Sequence, residues 1–136
     1  MKQLSVFLEN KTGRINEVAK SLAKNGINMH AFSMAESTDF GILRLVVSDV
    51  DQAVQVLRDA SFAVMLTDVV CIHCANVAGA MSEMLDKLAK EDIFIEYMYA
   101  FAVGDSANVV IRPNDLDKCI QLLEANHYQL MENKDF

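Results

Sequence analysis

Apolar and polar positions follow two distinct rhythms along the chain. Leu4, Val6 and Leu8 alternate with Ser5 and Glu9, the period of a half-buried strand, and the run stops at the turn-prone Asn10-Lys11-Thr12-Gly13. Ile15, Val18, Ala19 and Leu22 then recur at helical spacing, and Gly26 stands where that helix should end. Met29 to Ala35 and Ile42 to Val47 read as two strands of a hairpin turning at Ser37-Thr38-Asp39. Asp49 is placed to cap a second helix carrying Val50, Ala53, Val54 and Leu57, and Phe62 to Leu66 closes the series as a short strand.

The same series then begins again. Gly13 and Gly79 stand 66 residues apart (79 minus 13), and this offset also pairs Asn10 with Asn76, Glu17 with Glu83, Leu22 with Leu88, Ile27 with Ile93, Asp49 with Asp115 and Leu57 with Leu123. The chain is therefore a tandem duplication with a junction near Asp68 to Val70, giving domains over 1–68 and 69–136. In the second half Met81, Met84, Leu85 and Leu88 mark the first helix. Ile95 to Phe101 and Val109 to Ile111 form the hairpin, turning at Gly104-Asp105-Ser106, and Tyr128 to Met131 closes the unit. The order strand, helix, strand, strand, helix, strand predicts an α+β fold. It consists of two ferredoxin-like βαββαβ units in tandem, each an antiparallel sheet with both helices on one face. Simple alternation puts Ile95, Tyr97, Tyr99 and Phe101 on one sheet face and Met98 and Ala100 on the other, so neither face is polar. That pattern predicts a covered helix-free face and a homodimer formed through it. The short junction predicts that the two sheets join side by side into one larger sheet.

Asn-x-x-Gly at the end of a first strand, opening a helix in a βαββαβ unit, resembles the ACT domain, and the resemblance runs through both halves. It implies a small regulatory module that binds an amino acid and controls a metabolic enzyme or pathway by allosteric regulation, here in trans and without catalytic activity. It also implies a ligand site at Asn10 and Gly13, with Asn28 reaching the ligand from a neighbouring domain, and a lesser site at Asn76 and Gly79. Phe94 stands where the second half should repeat Asn28, and Thr12 and Ala78 replace the Pro that the family often carries before the glycine. The chemistry of the loop suits that ligand. A glycine lets a ligand approach the backbone, the first amides of the following helix can receive a carboxylate, and an Asn amide both donates and accepts. The plainer reading is a turn in which Asn caps and Gly bends.

Composition narrows the alternatives. Asp and Glu number 19 against 12 Lys and Arg, a net charge of -7 that disfavours nucleic acid. No apolar run approaches the ~18 residues of a membrane span, and no secretory leader opens the chain, so a cytoplasmic protein is expected. Cys71-Ile72-His73-Cys74 lies in a strand that sends its two thiols to opposite faces, which argues against a metal site or local disulfide. No cofactor is expected. His30 and His127 are scattered, and no Ser or Cys is paired with a base in a nucleophile motif. Arg44 and Arg112 on the third strands read as ordinary strand charges, and Met81 and Met84 as core fillers. The competing readings are a structural oligomerisation module without ligand and an enzyme on a ferredoxin-like scaffold.

Overall fold

The computed structural model describes residues 1–136, the side chain of Val103 excepted. Its elements are β1 (Lys2–Glu9), α1 (Arg14–Lys24), β2 (Met29–Glu36), β3 (Phe40–Val47), α2 (Val50–Asp59) and β4 (Ala63–Asp68). They are followed by β5 (Val70–Ala75), α3 (Ala80–Lys90), β6 (Ile95–Val103), β7 (Ser106–Pro113), α4 (Leu116–Ala125), β8 (Gln129–Met131) and a 3-10 turn over Asn133–Asp135. Contacts divide the chain into one unit of Lys2–Thr67 with Asn133–Phe136 and another of Met1 with Asp68–Glu132. The 3-10 turn is held to the first by Asn133, whose Oδ1 accepts from the Lys2 N–H at 2.7 Å and whose Nδ2 donates to the Lys2 carbonyl at 2.9 Å.

Each unit is the expected α+β sandwich, with strand order β2-β3-β1-β4 in one and β6-β7-β5-β8 in the other. The hydrogen-bond ladders give one four-stranded sheet in each unit. In the first unit Leu4, Val6 and Leu8 of β1 and Leu43, Leu45 and Val47 of β3 meet Val18 and Leu22 of α1 and Ala53 and Leu57 of α2. The second core repeats this with Val70, Ile72, Val109 and Ile111 against Met84, Leu88, Cys119 and Leu123. The strand and helix periods of the sequence thus converge on one buried layer per unit.

Helix ends account for much of the regularity. All four helices close with a pair of bonds of Schellman type: Ile27, Phe62, Ile93 and Tyr128 donate back to Leu22, Leu57, Leu88 and Leu123, each drawing an apolar residue onto the core. The residue before each donor takes a left-handed backbone, namely Gly26 (φ 68°), Ser61 (φ 67°), Asp92 (φ 55°) and His127 (φ 63°). Only Gly26 announced itself in the sequence, because the other three carry side chains that ordinarily avoid this region. A cation covers the ring after α2 and α4. The Arg14 guanidinium lies 4.9 Å from the Phe62 centroid and the Lys87 ammonium 5.0 Å from that of Tyr128.

One face assignment is corrected. A register shift between Ile95 and Tyr97 inserts Glu96 as an extra residue, so Ile95 packs with Met98 against the second core while Tyr97 pairs with Arg112 two places from Tyr99. The bulge reverses alternation at its own position, which a strict period of two does not anticipate. β7 is also longer than the expected Val109 to Ile111, because Ser106, Ala107 and Asn108 complete ladders with both neighbours.

Candidate functional site

The four helix starts fall into two kinds. Asp49 and Asp115 cap α2 and α4, their carboxylates accepting from the Gln52 and Lys118 N–H at 3.0 Å. At α1 and α3 the cap position is Gly13 or Gly79 in a left-handed conformation (φ 87° and 91°), and no side chain receives the first-turn amides. A Cβ at either glycine would meet nothing within 4 Å, so these glycines serve the backbone angle and leave open space above the helix start. The N–H groups of Ile15 and Asn16, or of Met81 and Ser82, are left facing that space with the positive end of the helix dipole behind them.

Asn10 and Asn76 are fixed beside these starts by one end of the amide only. Asn10 Nδ2 donates to the Ser37 carbonyl at 3.1 Å and Asn76 Nδ2 to the Gly104 carbonyl at 3.3 Å, tying the strand-one loop to the hairpin turn. A carbonyl can only accept, so these bonds settle the amide orientation: Nδ2 is the tethered end and Oδ1 the remaining acceptor. Each Asn thus ties its loop to the hairpin turn rather than capping the helix start that follows it.

The loops differ in charge. Lys11 binds the Glu9 carboxylate at 2.7 Å, which holds the exposed Glu9 below the usual carboxylate range. Arg14, in the first turn of α1, contacts Glu17 as it lies over Phe62. At the corresponding places the second loop has Val77, 63% exposed, and Ala80.

Asn28 does not join this group within its own unit. Glu9 pairs with Phe40 at one end of β3, and Met29, next to Asn28, pairs with Val47 at the other. Seven steps along β3 at ~3.3 Å each put Asn28 roughly 23 Å from the loop. Its backbone N–H donates to Ser48 Oγ at 3.0 Å, and that of Phe94 donates to Asn114 Oδ1 at 2.8 Å, so the two positions are equivalent in the backbone and different in the side chain. Asn10 lies with Gly13, and Asn76 with Gly79; within its own unit Asn28 stands apart from Asn10 and Gly13.

Other candidates separate as well. Cys74 packs towards the second core, while Cys71 points to the opposite sheet face with His73, whose Nδ1 meets Asn108 Oδ1 at 2.9 Å. Burial raises the Cys74 thiol, and burial together with the Asp115 carboxylate pushes Cys119 up to about 11, so neither is poised as a thiolate. Arg112 is occupied by the Asp68 carbonyl and by Glu96 at 3.6 Å. Among the described residues no group of three or more His, Cys, Asp or Glu is arranged to hold a metal ion. No helix among them is long and apolar enough to cross a membrane.

Two βαββαβ units, each with a glycine-opened and uncapped helix start beside a tethered Asn, define the class: a duplicated ferredoxin-like binding module. The chain belongs to the ACT domain pair family, which it matches over residues 1–136. Among solved structures it is similar to protein BT0572 from Bacteroides thetaiotaomicron, at 54% identity and a TM-score of 0.95, covering 98% of this chain and 93% of that one. It is also similar to the regulatory subunits of aspartate kinase from Thermus thermophilus (13% identity, TM-score 0.68) and Thermus flavus (15%, 0.63). Each covers 91% of this chain, which covers 90% of each, and at such identity the likeness is one of fold. No curated protein matches the chain.

Proposed function

We propose that the chain is an amino-acid-binding regulatory protein without catalytic activity that modulates a metabolic enzyme or pathway in trans. The observation that carries this reading is the contrast between helix starts: α2 and α4 are closed by Asp, whereas α1 and α3 are left without a side-chain cap beside an Asn held by its Nδ2. A free amino acid matches that arrangement, with its carboxylate on the first-turn amides and its ammonium on Asn10 Oδ1. The proposed site is Asn10 and Gly13 with the start of α1, and Asn76 with Gly79 is the lesser counterpart, lacking the cations of the first loop. Asn28 is assigned to the ligand only from a neighbouring domain, since it lies at the far end of its own sheet. Membership of the ACT domain pair family supports the regulatory role. The domains are taken as 1–68 and 69–136, the assembly as a homodimer, and the compartment as the cytoplasm, in keeping with three free thiols.

A thermal-shift screen of the twenty amino acids tests the reading. A rise confined to one or a few amino acids supports it, and a uniform blank favours a structural oligomerisation module, in which the Asn tethers serve only the turns. For the ligand that registers, Asn10→Ala weakens calorimetric binding about tenfold, or ~1.4 kcal/mol, without unfolding the unit. Gly13→Val is a poorer probe, because φ 87° strains the loop whatever the ligand does.

A further inference from the structure

We infer that the first loop selects an amino acid with an apolar side chain, and that Met34, seated over Gly41, is the residue that selects it. The inference rests on the reading of this loop as an amino-acid site. Gly41 lies on β3 opposite Leu8 of β1 and Glu36 of β2, on the helix-covered side of the sheet. A Cβ built there would stand 2.0 Å from Met34 Cε and 3.4 Å from its Sδ, so the thioether occupies the space that any other residue at this position would fill. The same point is 3.7 Å from Asn10 Oδ1, which makes the thioether and the amide oxygen neighbours across the glycine.

Met34 is nonetheless 42% exposed, and Ile15 in the first turn of α1 is 50% exposed. Met34 thus fills the gap over Gly41 without being fully covered, and its thioether neighbours the proposed ammonium acceptor. An amino acid held by its two charged groups at Asn10 and α1 therefore brings its side chain against the thioether. That surface gives an apolar chain dispersion contacts and gives a charged or hydroxylated one no hydrogen bond in return for lost water.

The second half shows the alternative. At the 66-residue offset Met34 corresponds to Ala100 and Gly41 to Ala107, while Asn10 is kept as Asn76. The two positions change together, the larger residue at one requiring the absent side chain at the other. The second loop keeps the tether and has Ala100 in place of the thioether, so the selection assigned to Met34 is a property of the first loop.

Calorimetric titration with leucine, methionine, phenylalanine, serine, aspartate and lysine tests this, using wild type, Met34→Ser and Met34→Leu. Position 34 is on an edge strand and half-exposed, so both variants should fold, which circular dichroism verifies. The expected result is that one or more of the apolar three bind wild type at least about tenfold tighter than the polar three. Met34→Ser should remove most of that preference, and Met34→Leu should retain it. Preferred binding of serine, aspartate or lysine, or an apolar preference untouched by Met34→Ser, overturns the inference and leaves the amino-acid reading intact. If none of the six binds, the inference falls; the amino-acid reading falls only if the full screen of twenty is also blank.

Discussion

The two units share a frame and differ in what they present from it. Left-handed residues recur at Gly13 and Gly79, at Gly26 and Asp92, and at Ser61 and His127. The Asp caps, the back-bonded helix ends and the buried leucines recur in the same register. Away from those positions the halves diverge: Lys11 and Arg14 become Val77 and Ala80, Met34 and Gly41 become Ala100 and Ala107, and Asn28 becomes Phe94. On the strand after the first helix, Ala31, Ser33 and Ala35 become Tyr97, Tyr99 and Phe101. Backbone geometry and core volume restrict the first set, whereas in the second the chemistry of the side chains changes, Met34 and Gly41 together. A duplicated module can thus hold one architecture while its two loops diverge in charge and apolar surface.

The largest test of equivalence lies in the cores. Leu22→Ala and Leu88→Ala remove matched, fully buried side chains, and each should cost about 2–5 kcal/mol in chemical denaturation, the two values agreeing within about 1 kcal/mol. A nearly neutral effect in one half would show that its core is not the structural repeat of the other.

Alkali should separate the halves. Cys119 of α4 stands where α2 has Ala53, and its thiol is held up to about 11 against an ordinary 9.0 by burial and by the Asp115 carboxylate. Because the folded value lies above the unfolded one, this contribution is complete below pH 9.0 and is lost as the pH climbs through about 11. The loss should be on the order of 2 kcal/mol. Melting curves of wild type should fall across that window, and Cys119→Ala, which rewrites the position as its counterpart, should flatten them there.

A smaller effect of opposite sign is expected at the end of α3. Asp92 adopts φ 55° where the first unit uses Gly26, so Asp92→Gly should raise stability by about 0.5–1 kcal/mol, read as a shift in denaturation midpoint. A loss of stability there would mean that the Asp92 side chain contributes more than its backbone costs.

Much of the frame was legible in the sequence because periodicity and capping are local. The alternation of Leu4, Val6 and Leu8, the Asp caps and the Asn-x-x-Gly loop each need only a few neighbouring residues to be read. The bulge at Glu96 escaped because no Gly or Pro marks it, and the left-handed Asp92, Ser61 and His127 escaped because glycine is the usual signal. The offset of 66 would have transferred Gly26 to Asp92. At the site, the loop residues were legible, but the free end of the Asn10 amide depends on a carbonyl 27 residues away. Likewise the meeting of Met34 with Gly41 is a diagonal contact between strands, which only the ladder register reveals. Comparing Met34 and Gly41 with Ala100 and Ala107 was the available signal for that pair. Asn28, chosen by resemblance, proved to lie at the opposite end of its sheet from Asn10.

On the proposed function, the uncapped start of α1 beside Asn10 receives the carboxylate of an amino acid. Backbone amide resonances followed by NMR, as the ligand found in the thermal-shift screen is titrated in, test it most directly. Saturable shifts are expected to be largest at Ile15 and Asn16, smaller or absent at Met81 and Ser82, and reduced in Asn10→Ala at the same ligand concentration. A ligand that saturates the chain while the Ile15 and Asn16 amides stay unmoved would contradict it.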